Sequence, residues 1–297
     1  MKDLAQLARL PKLSLLTLKS LSEESGAFNS STSPTVEFQS LSELSISYPS
    51  KISPLGFLEA CRFPVLKSFA MFCENPTSLA FLGVLVEHCR PALLKSLRFY
   101  VSPRDLPPDG AIDTADLLAL LRFQALTYFS LNLISYEANI NDTFLKEMSQ
   151  AWPQLQELHI EAPNRSPMFT LAGLIPLASN CRHLTSLSIS LDGQDPPSPH
   201  VGGSYRGTRN FCLQELRLYS SSPIRTHEGV TTFLSNTFPG LQRIELSSSW
   251  DYVVSVGHRR AITPDLTKWE QVAKSLRVMA NARNDRNDRD RHSTLSL

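Results

Sequence analysis

The chain has 297 residues, of which 42% are hydrophobic and 19% charged, and its formal net charge is +1. This composition is sufficient to fill a large apolar core, and the near-neutral charge argues against a strongly basic nucleic-acid-binding surface. The five cysteines include no CxxC pair, so they predict neither a disulfide framework nor a zinc site.

A short apolar pattern recurs along most of the chain. Large apolar residues occupy the first, fourth and sixth positions of a block, as Leu155, Leu158 and Ile160 do. The first residues of successive blocks are separated by 28, 25, 28, 32, 29, 29, 29 and 28 positions, a period close to that of leucine-rich repeats. The nine blocks begin at Leu13, Leu41, Leu66, Leu94, Leu126, Leu155, Leu184, Leu213 and Leu241.

Each block is predicted to form a short strand. Several follow an aromatic residue or Leu and then Pro, as in "LPKL", "FPVL" and "WPQL", and proline is tolerated where a strand begins. Because successive side chains of a strand face opposite ways, the fourth and sixth positions should be buried, and the third, fifth and seventh should point outward.

Segments with helical spacing separate the blocks, and several open on Ser, Thr or Asp, which favour the first turn of a helix. Alternation at about 28 residues predicts an α/β leucine-rich-repeat solenoid of about nine repeats over residues 1–262. It should be right-handed, with a parallel sheet on the concave face and helices on the convex face. The predicted helical segments are 53–62, 77–90, 114–122, 141–152, 170–182 and 226–238.

The last part of the chain is predicted to close the repeat stack. Residues 263–282 have the spacing of a capping helix, with Thr263 as its cap and Pro264 at its first position. Its apolar face comprises Leu266, Trp269, Val272, Ala273 and Leu276. Residues 283–297 lack an apolar face and alternate in charge, so a disordered polar tail is predicted there.

Neither a secretion signal nor a membrane span is predicted. The opening segment has no long apolar stretch, and the longest internal apolar run, "FLGVLV", is far too short to cross a bilayer. A cytoplasmic or nuclear monomer without membrane contact is therefore expected. Cys61, Cys89 and Cys181 each precede Arg at the end of a predicted helix, where a small buried side chain is expected.

Motifs for catalysis are absent from the sequence: it has no GxSxG, no Walker loop, no HExxH and no dinucleotide fingerprint. The prediction is a non-enzymatic protein with no cofactor and no metal. Residues 201–207, "VGGSYRG", offer a glycine-rich loop for a phosphate, but an exposed irregular loop is favoured. His159 with Glu157 and Glu161 resembles an acid–base cluster, although a solvated polar face is favoured.

The outward positions of the strands are the predicted binding surface. Tyr and Arg are enriched there on some strands, and these residue types contribute much of the energy at protein interfaces. The alternative is an ordinary solvated sheet with paired charges. The candidate partner-binding residues are Arg98, Tyr100, Tyr128, Glu157, His159, Glu161, Glu215, Arg217, Tyr219, Arg243 and Glu245.

The nine blocks, their helical partners and the recurring "CR" and "FP" lead-ins resemble the leucine-rich-repeat region of F-box-like proteins, particularly those of fungi. The resemblance covers residues 1 to about 260. In that family an N-terminal F-box binds the adaptor of a cullin-type ubiquitin ligase and the repeats hold the substrate. The sequence opens inside a repeat, without the Leu-Pro and helical signature expected of an F-box.

Two functions follow as hypotheses. The first is a protein-recognition module, the substrate-binding repeat region of an F-box-like ubiquitin-ligase receptor. The second is a structural or regulatory leucine-rich-repeat scaffold unconnected to ubiquitin. In both cases the expected partner is a protein, and nucleic acid is not expected.

Overall fold

A computed structural model shows a mixed α/β protein built around a large parallel sheet. It describes residues 2–19, 36–48, 55–74, 81–102, 112–133, 138–161, 167–197, 208–219, 222–247 and 264–294. The predicted cap Thr263 and the glycine-rich segment 201–207 lie outside these residues.

Nine strands, in chain order, form the parallel sheet of the described residues. Each begins at the third position of one of the nine blocks, so the predicted strands are confirmed. Their bounds are β1 Leu15–Lys19, β2 Glu43–Tyr48, β3 Ser68–Glu74, β4 Ser96–Ser102, β5 Tyr128–Leu133, β6 Glu157–Glu161, β7 Ser186–Ile189, β8 Glu215–Tyr219 and β9 Arg243–Ser247.

Helices lie in every segment for which the sequence predicts one. The segment 114–122 is divided between a short α-helix and the 3-10 helix Leu118–Arg122. The α-helices are α1 Lys2–Ala8, α2 Leu55–Ala60, α3 Phe81–His88, α4 Thr114–Leu117, α5 Asp142–Ala151, α6 Leu174–Asn180, α7 His227–Thr237 and α8 Pro264–Thr294.

The chain divides into two compact units, which we describe separately. The first comprises Met1–Ile140 and Glu147–Asn164, and the second comprises Asn141–Lys146 and Arg165–Leu297. Strands β1 to β6 belong to the first unit, and β7 to β9 belong to the second.

Burial follows the predicted alternation along the strands. The inward residues Leu158 and Ile160 of β6 are both 0% exposed, and the neighbouring outward residues are partly exposed. In the first unit only β1 departs from this, because its inward residues Leu16 and Leu18 are half-buried. A strand at the end of a stack has a neighbour on one side only, so its inward side chains lose half of their cover.

The turns before seven of the nine described strands share one hydrogen-bond pattern. Two successive backbone N–H groups donate to a single carbonyl of the preceding repeat, as Gln156 and Glu157 donate to Thr127 at 2.8 and 3.0 Å. Six further turns share this pattern, with acceptor carbonyls on Ser14, Ser42, Lys67, Lys95, Thr185 and Gln214. These bonds hold each strand that follows such a turn in register with the strand before it.

Helix α5 begins with a side-chain cap. The side-chain oxygen Oδ1 of Asn141 accepts hydrogen bonds from the backbone N–H groups of Thr143 and Phe144, at 3.0 and 3.4 Å. The cap expected at α7 is different, because Thr226 has the extended backbone of a cap residue but makes no capping bond with its side chain. Residue type thus identified the position of this cap but not its bonding.

The Asp142 carboxylate binds the segment that precedes α6 in the second unit. Asp142 Oδ1 accepts the backbone N–H of Thr170 at 2.9 Å, and Asp142 Oδ2 accepts the Thr170 hydroxyl at 2.6 Å. Glycine at position 173 leaves room for this carboxylate, because a Cβ there would displace the Asp142 side chain and disturb its hydrogen bonds to Thr170.

Helix α8 packs within the second unit through the predicted apolar face. Trp269, Val272 and Leu276 are at most 4% exposed, and Trp269 Nε1 donates to the Ser222 carbonyl at 2.8 Å. The helix continues to Thr294, beyond residue 282, where the sequence predicts that it ends and that a disordered tail follows from residue 283. Arg283 anchors this continuation, since its guanidinium donates to the Ser235 and Pro239 carbonyls at 3.1 and 3.2 Å.

The inward and outward assignment of β6 is testable by two substitutions. Leu158→Asp places an unpaired charge at a fully buried position and should lower the free energy of unfolding by about 4 kcal/mol or more. His159→Ala, at the adjacent outward position, should leave cooperative unfolding intact. Urea denaturation followed by circular dichroism measures both. Equal destabilisation by the two changes would contradict the assignment.

The anchoring of α8 is testable at Arg283. Arg283→Ala removes hydrogen bonds from a charged donor and should lower the free energy of unfolding by about 1 to 2 kcal/mol. Arg277→Ala, at an exposed position of the same helix, serves as the matched control. A thermal melt that distinguishes neither variant from the wild-type protein would show that Arg283 does not hold the helix.

Candidate partner-binding face

In the first unit the strand register aligns the outward side chains in three rows. We call the outward side chains of β1 to β6 the first-unit face. Its first row is Leu15, Glu43, Ser68, Ser96, Tyr128 and Glu157. Its second row is Thr17, Ser45, Ala70, Arg98, Ser130 and His159. Its third row is Lys19, Ser47, Phe72, Tyr100, Asn132 and Glu161.

Four predicted residues form one chain of contacts on this face. The guanidinium carbon of Arg98 lies 4.5 Å from the centroid of the Tyr128 ring, a cation–π geometry. The other neighbour of Tyr128 is the His159 ring, with 5.5 Å between the ring centroids. His159 Nε2 lies 3.5 Å from Glu157 Oε2. The register thus brings together side chains from β4, β5 and β6.

The remaining predicted residues of this face have other neighbours. Tyr100 contacts Phe72 of β3, with their ring centroids 5.9 Å apart. Glu161 Oε2 accepts a hydrogen bond from Asn132 Nδ2 at 2.7 Å. The two pairs meet in the third row, where Tyr100 is opposite Asn132 in register.

Phe72 is the residue that sequence reasoning missed. It is 44% exposed, although Phe is usually buried in folded proteins. The sequence contained a signal, because Phe72 occupies the outward seventh position of its block, where an apolar residue needs a partner or a function. The other outward residues of that strand, Ser68 and Ala70, are small and uncharged, so the strand as a whole lacks the Tyr and Arg enrichment that marked the candidate residues.

In the second unit, four predicted residues neutralise one another. Arg217 Nη2 donates to Glu245 Oε2 at 2.9 Å and to Glu215 Oε1 at 3.2 Å. Arg243 Nη1 donates to Glu245 Oε1 at 3.3 Å. These side chains carry two positive and two negative charges, so the cluster offers a partner little uncompensated charge.

The same cluster shifts the ionisation of its members. Hydrogen bonding from Arg217 holds the pKa of the Glu245 carboxyl below its ordinary value, with a further hydrogen bond from Arg243 acting the same way. The pKa of Arg217 is raised, mainly by its hydrogen bond to Glu245. Both groups therefore remain charged across the physiological pH range.

Tyr219 is buried, whereas a partner-binding residue should be exposed. It is only 8% exposed, although it occupies an outward position of β8. Ser188 and Ser190, at outward positions of the β7 block, are buried as well, at 1% and 0%. In the second unit, strand alternation therefore does not decide which of these side chains reach solvent.

None of the five cysteines forms a disulfide bond, and four of them are buried. Burial raises the pKa of Cys61, Cys73, Cys89 and Cys181 to about 12, because the apolar surroundings disfavour the thiolate. Cys61 and Cys181 instead serve as backbone acceptors, for His88 Nδ1 and Asn210 Nδ2 respectively, each at 2.7 Å. The buried positions predicted for Cys61, Cys89 and Cys181 are confirmed.

His159 and Glu157 are the described pair closest to a catalytic arrangement. Ser130 lies opposite His159 in register, but Ser130 makes no hydrogen bond with it. An activated serine requires that bond to its base. Within the part of the chain that the structure describes, no group of three or more His, Cys, Asp or Glu side chains is arranged to hold a metal ion.

No protein-family model matches the chain, and no curated protein matches it.

Among the described residues, no helix has both the length and the apolar character needed to cross a membrane.

The Glu245 cluster leads to a pH prediction. A carboxyl whose pKa is lower in the folded than in the unfolded state contributes stability at neutral pH, and this contribution is lost as the pH falls through the folded value. Arg217→Met should therefore raise the pKa of Glu245 toward its ordinary value. The variant should lose less than about 1 kcal/mol at pH 7, because the pair is partly exposed.

Carbon-13 NMR titration of the Glu245 carboxyl measures this shift. Arg243→Met is the matched control and should raise the pKa less, since the Arg217 hydrogen bond is the stronger influence. The stability difference between the wild-type protein and Arg217→Met should disappear at pH values below the folded pKa of Glu245. An unchanged titration in Arg217→Met would contradict the bonding described here.

Proposed function

We propose that this chain is a non-enzymatic protein-recognition module that binds a protein partner on the first-unit face. The observation that carries the proposal is a set of contacts across β3 to β6. Arg98 contacts the Tyr128 ring and Tyr128 contacts His159, and the Phe72–Tyr100 pair lies in the adjacent row. Aromatic and arginine side chains in contact on an accessible surface are the usual anchors of protein interfaces.

The regular repeat supports a finer proposal for the fold. We infer a right-handed leucine-rich-repeat solenoid of about nine repeats with the sheet on its concave face. The support is the period of about 28 residues, a described helical segment in six of the eight intervals between the nine strands, and parallel pairing of the strands. Proteins of this architecture commonly bind other proteins on the sheet.

The chemistry of the described residues supports a binding role over catalysis. The buried thiols are protonated at neutral pH, and Ser130 lacks the hydrogen bond that would activate it. The proposed protein therefore uses no cofactor and no metal. We further propose a cytoplasmic or nuclear monomer that binds neither nucleic acid nor membrane.

The resemblance to F-box-like proteins supports a specific version of this function. In that version the repeats hold the substrate of a ubiquitin ligase, and the ligase adaptor binds outside them. The support is the repeated block pattern with its "CR" and "FP" lead-ins. A leucine-rich-repeat scaffold unconnected to ubiquitin is the outcome to be distinguished from it.

The test is affinity capture of the natural protein, tagged at its own chromosomal locus, followed by mass spectrometry. A variant with Phe72→Ala, Arg98→Ala and Tyr128→Ala is compared with the wild-type protein. Arg243→Ala, an exposed position of the second unit, is the matched control. We expect ligase adaptor and cullin subunits with all three proteins, and one further protein that is lost only with the triple variant.

Each part of the proposal has its own contrary result. Capture of a face-dependent partner without ligase subunits would show a scaffold or a different recognition protein. Capture in which no protein depends on the first-unit face would contradict the recognition function. The triple variant must melt like the wild-type protein for the comparison to hold, as its outward positions lead us to expect.

A further inference from the structure

No carboxylate of the described residues pairs with Arg98 on the first-unit face. Arg98 is exposed, and within the part of the chain that the structure describes its one contact of this kind is with the Tyr128 ring. Arg217, on the outward side of the second unit, is by contrast paired with both Glu215 and Glu245. Arg98 therefore differs from Arg217 in having its charge available to a ligand.

The contact with Tyr128 orients Arg98 without using its hydrogen-bond donors. A guanidinium above an aromatic face is held by the π electrons, and its N–H groups point outward in the guanidinium plane. That geometry suits a carboxylate, which accepts two parallel hydrogen bonds from arginine. An acidic group on a partner is the complementary ligand.

An apolar contact site lies diagonally from Arg98. Phe72 is 44% exposed and contacts Tyr100, so the two rings present an accessible aromatic surface. In the strand register Arg98 is opposite Ala70, and Phe72 is two residues further along β3. Such diagonal neighbours on a sheet are about 7 to 8 Å apart.

Small side chains leave room for a partner backbone beside these anchors. Ser68 and Ala70 precede Phe72 on the outward side of β3, and Ser45 and Ser47 lie next to them on β2.

We propose that the partner segment is an extended peptide with an acidic side chain and a large apolar side chain two residues apart. This inference rests on the proposed function. The acidic group binds Arg98, and the apolar group packs on Phe72 and Tyr100. In an extended chain, side chains two residues apart lie on one face and are about 6.6 to 7 Å apart, which matches the diagonal from Arg98 to Phe72.

The surrounding charges restrict where the acidic group binds. Glu43 lies on β2 in the first row, and Glu157 and Glu161 lie on β6. These carboxylates repel an acidic side chain placed near them, so the neighbourhood of Arg98 is favoured. Repulsion of misplaced charge adds specificity to the attraction.

The test uses a displayed library of random twelve-residue peptides, selected on the purified full chain. We expect enrichment of Asp or Glu two positions from Phe, Tyr, Trp, Leu or Ile. Arg98→Glu should replace the acidic preference with Lys or Arg at the same spacing. A peptide selected on the wild-type protein and then synthesised should bind the Arg98→Ala variant about tenfold more weakly. Arg243→Ala, in the second unit, should select the same peptides as the wild-type protein.

The outcomes separate this inference from the function on which it rests. Peptides that depend on Phe72 but show no acidic preference, or no reversal with Arg98→Glu, overturn the inference and leave a protein-recognition face. Peptides unaffected by both Phe72→Ala and Arg98→Glu, or the selection of none, count against both proposals. Since both side chains are exposed, unchanged melting of the variants verifies that folding is retained.

Discussion

The burial of each repeat's inward side chains against the repeats before and after it is the interaction on which the other features depend. Residues such as Phe129 are fully buried because each lies between equivalent residues of adjacent strands, whereas the inward residues of β1 are half-buried because they have a neighbour on one side only. The paired hydrogen bonds from each turn to one carbonyl of the preceding repeat, as from Gln156 and Glu157 to Thr127, fix the register within which this burial occurs.

A fixed register on the buried side also fixes the arrangement of the outward side chains. Side chains from strands distant in sequence come into contact in this way: Arg98, Tyr128 and His159 lie on three consecutive strands, and each contacts the next. The same geometry gives the two units different chemistry. Glu245 and Glu215 neutralise Arg217, whereas Arg98 meets an aromatic ring. The charge of Arg217 is therefore neutralised by carboxylates, whereas among the described residues that of Arg98 is not.

Strand positions, inward residues and most helical segments could be predicted from the sequence, because they depend on a local apolar period that repeats along the chain. Candidate residues could also be proposed, but their roles could not. Phe72 was missed, and Tyr219 was proposed as a contact residue although it is 8% exposed. Both occupy outward positions by alternation, yet the exposure of an outward side chain depends on what lies over it. Likewise, the continuation of α8 depends on Arg283 bonding to residues far away in sequence.

By itself the sequence determined the repeat, the parallel order of its strands and the side of each strand that is buried, since a period near 28 residues and alternation within each block are properties of the chain alone. Tertiary structure decided which outward charges are paired. Arg98 and Arg217 occupy equivalent positions in their blocks, and two residues earlier on the same strand the first has Ser96 whereas the second has Glu215. The rest of their difference arises from the neighbouring strands, which supply Tyr128 to one and Glu245 to the other, because electrostatic pairing depends on distance in space.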